Sequence, residues 1–394
     1  MIFSCSANAD VQKADKASNK AAKDEIMMLP TVGAAKMDVY LDSLKGKKVA
    51  VVGNQTSLVN GVHLVDTLIG SDIEVVKVFA PEHGFRGEAN AGEYVKNGVD
   101  ALTGVSVVSL YGKNKKPSAT QLSGVDVVVF DIQDVGVRFY TYISTLHYVM
   151  EACAEQGIPV IILDRPNPNG HYVDGPVLDP EYTSFVGMHP VPIVHGMTIG
   201  EYGTMINGEK WLKGGIRCDL TVVKCDYYYH GSQWPVEVRP SPNLRSDLSI
   251  ALYPSLCLLE ATDVTVGRGT PFPFEQYGHP NFPDSLEYSF TPAPDFGAKK
   301  PKHNGALCYG IKLESANYWR MSQLDLSFLL DAYEKMDGDL FQGKKTRMFF
   351  LLYGRGDLLD LLSDGKSEAE IRATWQQDLE AYKEMRKKYL LYYE

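Results

Sequence analysis

The chain has 394 residues, 44% of them hydrophobic and 22% charged, and 39 Lys+Arg against 49 Asp+Glu give a formal net charge of −10. Those proportions exclude a disordered or collagen-like chain, and an acidic total without a basic block argues against a nucleic-acid partner, because phosphate contacts need clustered Lys and Arg. No apolar run approaches the ~20 residues of a membrane helix, and the length suits two or three domains.

In chain order, residues 1–30 read as a leader or tether. Ile2-Phe3-Ser4-Cys5 has the apolar, small, cysteine order that ends a bacterial lipoprotein signal, and residues 6–23 are rich in Ala, Asn, Asp and Lys, as a flexible link is. The expectation is an exported protein, periplasmic or anchored by lipid at Cys5, with that anchor its only membrane contact. A chance cysteine in a disordered tail is the alternative.

Short β-branched runs follow at 48–53, 74–79, 105–110, 125–130, 158–163 and 220–224. The clearest helix is 145–156, with Leu146, Val149, Met150 and Cys153 on one face and Gly157 as its stop. Strands alternating with helices predict an α/β fold, a Rossmann-like, mostly parallel sheet with helices on both faces, over residues 31–250. Beyond the Pro-rich 239–244 stretch, a smaller α+β domain is expected over 251–394. It would have helices near 321–336 and 356–363 and a terminal helix opened by the Ser367/Glu370 capping box, with Ile371, Trp375, Leu379 and Tyr382 as its core stripe.

Ligands of open parallel sheets bind beyond the carboxyl ends of the strands, so the residues directly after each strand are the informative ones. The first such loop holds Glu82, His83 and Arg86; the second holds Asp131, Asp134, Arg138, Tyr140 and Tyr142; the third holds Asp164, Arg165 and Asn167. Glu82, next to a proline and ahead of His83-Gly84, suits a fixed general acid or base, or else a helix cap. His83 would orient Glu82, touch substrate, or simply be structural. Asp131 and Asp134 read as acid/base partners or as staples of backbone N–H groups. Arg138 with the two tyrosines suggests an anionic, hydroxylated ligand. Asp164 and Asn167 fit hydroxyl binding or plain turn chemistry. Later, Arg268 lies between glycines and Glu275 is a candidate second carboxylate or a salt-bridged loop residue. Thr198 and Glu201 read as a capping box.

Cys218 and Cys225 could pair in an oxidising compartment, while no C-x-x-C signals zinc or redox chemistry. G-x-G-x-x-G after the first strand, Walker A, H-E-x-x-H and G-x-S-x-G are all missing from the sequence, and no cofactor is called for.

With these residues in view, the chain resembles the exo-β-N-acetylmuramidases of the NamZ type, glycoside hydrolase family 171. The resemblance rests on the 79–87, 130–143 and 163–168 strings above, then on 196–201, 240–243, 260–262 and 267–270, and it runs from residue 47 to the C-terminus. It implies a Rossmann-like domain, a smaller C-terminal domain, an active site in the cleft between them, and removal of N-acetylmuramic acid from non-reducing ends of peptidoglycan fragments of the MurNAc-GlcNAc type. Glu82 is then the general acid/base; its partner is Asp131 or Glu275 by residue type, or a tyrosine or the substrate's own acetamide in place of a second carboxyl. A lactyl carboxylate on the sugar would account for Arg86, Arg138, Arg165 and Arg268, and Tyr140, Tyr142, Phe274 and Tyr277 would stack on it. Two other readings are a non-catalytic muropeptide-binding protein and a metal-dependent hydrolase using Glu82, His83, Asp131 and Asp134.

Overall fold

The structure, a computed structural model, describes residues 29–87, 97–314, 321–343 and 346–394. Cys5 and nearly all of the expected leader lie outside them. Among the described residues no helix is long and apolar enough to cross a membrane.

The strands of the first part are β1 (Lys48–Gly53), β2 (Leu58–Val59), β3 (Val62–His63), β4 (Glu74–Ala80), β5 (Gly98–Val99), β6 (Ser106–Ser109), β7 (Val127–Asp131), β8 (Val160–Leu163) and β9 (Leu220–Val223). Apart from the β2–β3 hairpin they form one sheet in the order β5-β6-β4-β1-β7-β8-β9, parallel except for β5 at the edge. Numbering the parallel strands along the chain gives 3-2-1-4-5-6, the doubly wound order whose switch point lies between β1 and β7.

Strand side chains alternate between faces, and both faces are buried. Val49, Val51, Val127 and Val129 enter one cluster with Tyr40 and Leu44 of helix α1 (Met37–Leu44) and Leu64 and Leu68 of α2 (Leu64–Gly70). Ala50, Val52, Val128 and Phe130 enter the other, larger cluster. There they join α4 (Tyr142–Gln156), which follows the short α3 (Ala119–Leu122), and α5 (Ile199–Gly208). Continuous Val/Ile runs therefore form strands because they have apolar partners on both sides.

Helix α6 (Asp247–Glu260) runs across the region where the sequence suggested a boundary, with Ser246 and Ser249 forming its capping box. Pro254 lies inside it and cannot donate to Ile250 O. The Asn169 side chain supplies that hydrogen bond instead, at 3.2 Å. The C-terminal part adds a separate antiparallel sheet, ordered β10 (Gln276–His279), β12 (Cys308–Lys312), β11 (Tyr288–Phe290). Among the described residues the helices that follow are α7 (Ser327–Lys335), α8 (Arg347–Tyr353), α9 (Leu358–Ser363), α10 (Glu368–Ala373) and α11 (Gln376–Arg386). The expected helix at 321–336 thus starts only at Ser327. The terminal helix breaks at Thr374-Trp375, although Ile371, Trp375, Leu379 and Tyr382 are all buried as a stripe requires.

The larger apolar cluster includes residues from both parts, and the tail returns to the first. Tyr382 donates to His195 O at 2.8 Å, and Tyr392 donates to Asp164 Oδ2 at 2.7 Å. Cys218 and Cys225 are buried free thiols.

Candidate active site

The loop after β4 turns sharply. Gly84 N bonds Pro81 O at 3.1 Å, and His83 and Gly84 both take positive φ, 73° and 82°. A left-handed histidine is tolerated but uncommon, and here it fixes the direction in which Glu82 leaves the sheet. Thr141, just ahead of α4, donates its hydroxyl to Glu82 Oε2 at 3.3 Å. Tyr111, after β6, also hydrogen-bonds Glu82; burial and that neighbouring carboxylate push its hydroxyl up to about 12.

Glu82 opens into a cavity of about 340 Å³ whose walls come from both parts of the chain. The strand-end loops supply His83, Tyr140 and Tyr142, and α6 and the loop beyond it supply Tyr253, Glu260, Arg268 and Phe274, while α8 supplies Met348 and Leu352. The aromatic rings lock edge to face, Tyr140 with Tyr142 at 4.9 Å, Tyr140 with Tyr253 at 5.9 Å and Tyr253 with Phe274 at 5.0 Å. Tyr140 and Tyr142 both donate to Pro240 O, at 2.7 and 3.1 Å, and Asn54 at the end of β1 donates to the Tyr142 hydroxyl at 2.9 Å. A strap at 239–241 is thereby pinned over the sheet edge.

The second carboxylate on the cavity wall is Glu260. Burial alone would raise its pKa, but the Arg268 guanidinium outweighs burial and holds it below the usual range. Arg268 donates from Nε to Glu260 Oε1 at 2.6 Å and from Nη2 to Oε2, and stands 5.2 Å from the Phe274 ring centre. Lys302 caps the helix end that carries Glu260, donating to the carbonyls of Leu259, Glu260, Thr262 and Val264 at 2.8–3.1 Å; burial pushes it down to about 8. Glu260 appears in the sequence only within one of the resembling strings, and nothing in its spacing distinguishes it, because only the packing of α6 brings it to Glu82.

Of the residues expected at the site, Glu82, His83, Tyr140, Tyr142, Arg268 and Phe274 meet in this cavity. The others are engaged elsewhere. Asp131 is fully buried and paired with Arg165 through Nε at 2.6 Å and Nη2 at 2.9 Å. Asp134 Oδ2 accepts from Gly136 N at 2.7 Å, a loop staple, and Asp134 Oδ1 has no hydrogen-bond partner among the described residues. Burial raises Asp134 to about 7, and the facing His195 is lowered to about 3 by burial and by the Arg386 and Arg138 charges. Arg138 is buried without a carboxylate and donates to the carbonyls of Pro176, Val191, Leu352 and Tyr353, tying the first part to α8. Burial lowers it to about 9.

Arg86 pairs with Asp66 and Asp100. Asp164 accepts from Thr198, Tyr392 and the N–H groups of Arg165 and Gly200, and burial raises it to about 6. Asn167 bonds Met197 O and Asn169 N. Glu275 accepts from the Ser246 hydroxyl at 2.5 Å, and Tyr277 donates to Asp331 at 2.7 Å.

One grouping among the described residues has donor atoms close enough for a metal: Asp263, His279 and His303, all within 4.8 Å. Asn281 N donates to His279 Nδ1 at 3.0 Å, so the ring proton resides on Nε2 and faces Asp263 Oδ2 at 3.2 Å. This is the tautomer that donates to a carboxylate, whereas a ligating Nε2 needs its lone pair.

Fold and site define a doubly wound α/β protein with a carboxylate-bearing cleft closed by a smaller C-terminal domain. Two family profiles match it: exo-β-N-acetylmuramidase NamZ, N-terminal, over residues 49–248, and exo-β-N-acetylmuramidase NamZ, C-terminal, over 251–392. The chain belongs to the NamZ exo-β-N-acetylmuramidase family. It is 39% identical over 375 residues to the peptidoglycan β-N-acetylmuramidase NamZ of Bacillus subtilis, covering 90% of this chain and 89% of that one. Among solved structures, a DUF1343 family protein of Bacteroides fragilis is 43% identical with a TM-score of 0.85, over 93% of this chain and all of that one. A second from the same organism is 27% identical with a TM-score of 0.80, over 92% of this chain and 99% of that one.

Proposed function

We propose that the protein is an exo-acting glycoside hydrolase that releases N-acetylmuramic acid from the non-reducing ends of peptidoglycan fragments, with Glu82 as general acid/base. The observation that carries this reading is the placement of Glu82 at the mouth of the cavity between the strand-end loops and α6. In hydrolysis the bond from the anomeric carbon to the leaving sugar's oxygen breaks. That oxygen takes a proton from Glu82, and water adds its hydroxide to the anomeric carbon while its remaining proton returns the Glu82 carboxylate to the acid form. Glu82 is held by the Thr141 and Tyr111 hydroxyls, which aim the carboxyl.

Family membership and the identity with the B. subtilis muramidase favour this reading over a binding protein or a metallohydrolase. Arg268 is the guanidinium on the cavity wall, and it suits the lactyl carboxylate that separates a muramic from a glucosamine unit. Peptidoglycan itself is laid down outside the cytoplasm, and the reading therefore includes export of this protein and lipid attachment at Cys5.

Incubation with the MurNAc-GlcNAc disaccharide, followed by mass spectrometry, tests the reading. It predicts stoichiometric free N-acetylmuramic acid and N-acetylglucosamine; an intact disaccharide bound by the protein would point to the binding-protein alternative.

A further inference from the structure

A second cavity, of about 430 Å³, opens at the same carboxyl edge of the sheet. Thr56 after β1, Gln133 after β7 and Arg165 after β8 line it, and it thus straddles the switch point between β1 and β7, where doubly wound sheets receive ligands. The 239–241 strap separates it from the Glu82 cavity: Tyr140 and Tyr142 hold Pro240 O from one side, and Gln55 Nε2 bonds Arg239 O at 3.0 Å from the other.

Its polar and aromatic groups are set for a particular chemistry. Arg165 commits Nε and Nη2 to Asp131 and Leu58 O, while Nη1 makes no hydrogen bond among the described residues. Because Asp131 balances its charge, Arg165 offers a directed donor and little net field, which suits a hydroxyl or acetyl oxygen better than a phosphate. The Trp234 indole donates to Gln133 Oε1 at 3.1 Å, which fixes the ring on the cavity wall, and Glu237 adds an acceptor. The same loop exposes Tyr227 (62%) and Tyr229 (50%), and large apolar side chains grouped at a surface mark interaction sites.

We propose that this cavity is a second, non-catalytic saccharide site that holds one uncharged N-acetylhexosamine unit of a glycan chain, with a pyranose face on Trp234 and Arg165 Nη1 donating to the sugar. The choice of glycan rests on the muramidase reading. The second foothold keeps a polymer near the Glu82 cavity by raising its effective concentration.

The test uses the full chain carrying Glu82→Gln, with chitotetraose as the probe and the heat of binding in isothermal titration calorimetry as the readout for every variant. Saturable binding is expected, weakened at least about tenfold by Trp234→Ala and kept within about threefold by Trp234→Phe, since the smaller ring still stacks. In the otherwise unaltered enzyme, Trp234→Ala should lower kcat/KM on polymeric glycan about fivefold and leave release from the MurNAc-GlcNAc disaccharide unchanged. Equal binding by Trp234→Ala, or equal losses on polymer and disaccharide at unchanged Tm, would overturn the site. A wild-type enzyme that cannot cleave the disaccharide defeats the functional reading alone, because the chitotetraose titration still decides the second site.

Discussion

Arg268 grips Glu260, the last residue of α6, with both Nε and Nη2 on the wall of the cavity that contains Glu82. The pair keeps Glu260 ionised and fixes the plane of the guanidinium, whose remaining edge is what an anionic sugar substituent would meet. Arg268→Gln should raise KM for a muramic substrate by at least about tenfold, because a charge-assisted contact is lost and Glu260 is left without its counter-ion. The loss should be smaller on an analogue lacking the lactyl carboxylate. Steady-state kinetics on the two substrates separate these effects.

Asp131 is the site candidate most fully engaged away from the Glu82 cavity. It sits at the end of β7, as a catalytic carboxylate of an open sheet would, yet it is fully buried against Arg165. Asp131→Asn should therefore reduce stability by on the order of 3–5 kcal/mol, the cost of breaking a buried pair. Turnover per folded molecule on the disaccharide should remain within about twofold of wild type. Thermal denaturation read alongside specific activity decides it.

Asp134 predicts a pH dependence. Its folded-state pKa, raised by burial to about 7 from an ordinary 3.8, means that the folded protein holds a proton which the unfolded chain has released. Stability from this group is complete below about pH 4, falls as pH rises to about 7 and is flat above that. Asp134→Asn should remove that slope. At pH 8 the variant should be more stable than wild type by on the order of 2–4 kcal/mol of unfolding free energy, with the gap closing toward pH 4. Calorimetry across pH 4–8 measures it.

How much was legible before the structure follows from what sequence patterns report. Burial on two faces leaves uninterrupted Val/Ile runs, so the strands at 48–53 and 127–131 could be read directly. Short range also sufficed for Thr198/Glu201 and Ser367/Glu370, both capping boxes in the structure. Helix α6 was hidden because Pro254 normally forbids a helix interior, and the compensating donor, Asn169, lies 81 positions away from Ile250. The same distance effect blurred the site. A strand-end arginine looks alike whether it reads substrate or bolts a fold, and only tertiary partners show that Arg86 and Arg165 face carboxylates while Arg138 faces carbonyls.

Arg138 gives the fourth prediction. Four backbone carbonyls from three segments converge on its guanidinium. Arg138→Leu would strand them in the interior, and stability should fall by on the order of 3–5 kcal/mol. Because the clamp joins the 176–191 loop to α8, whose Leu352 lines the Glu82 cavity, KM should rise in the fraction that still folds. Chemical denaturation with parallel kinetics tests both parts.

The central claim is that Glu82 transfers the proton. Glu82→Gln preserves shape and hydrogen-bonding capacity but cannot ionise, and kcat on the MurNAc-GlcNAc disaccharide, measured with folding checked by circular dichroism, tests it most directly. The account predicts a loss of at least about 10²-fold with an unchanged spectrum; a folded variant within a few-fold of wild type would contradict it.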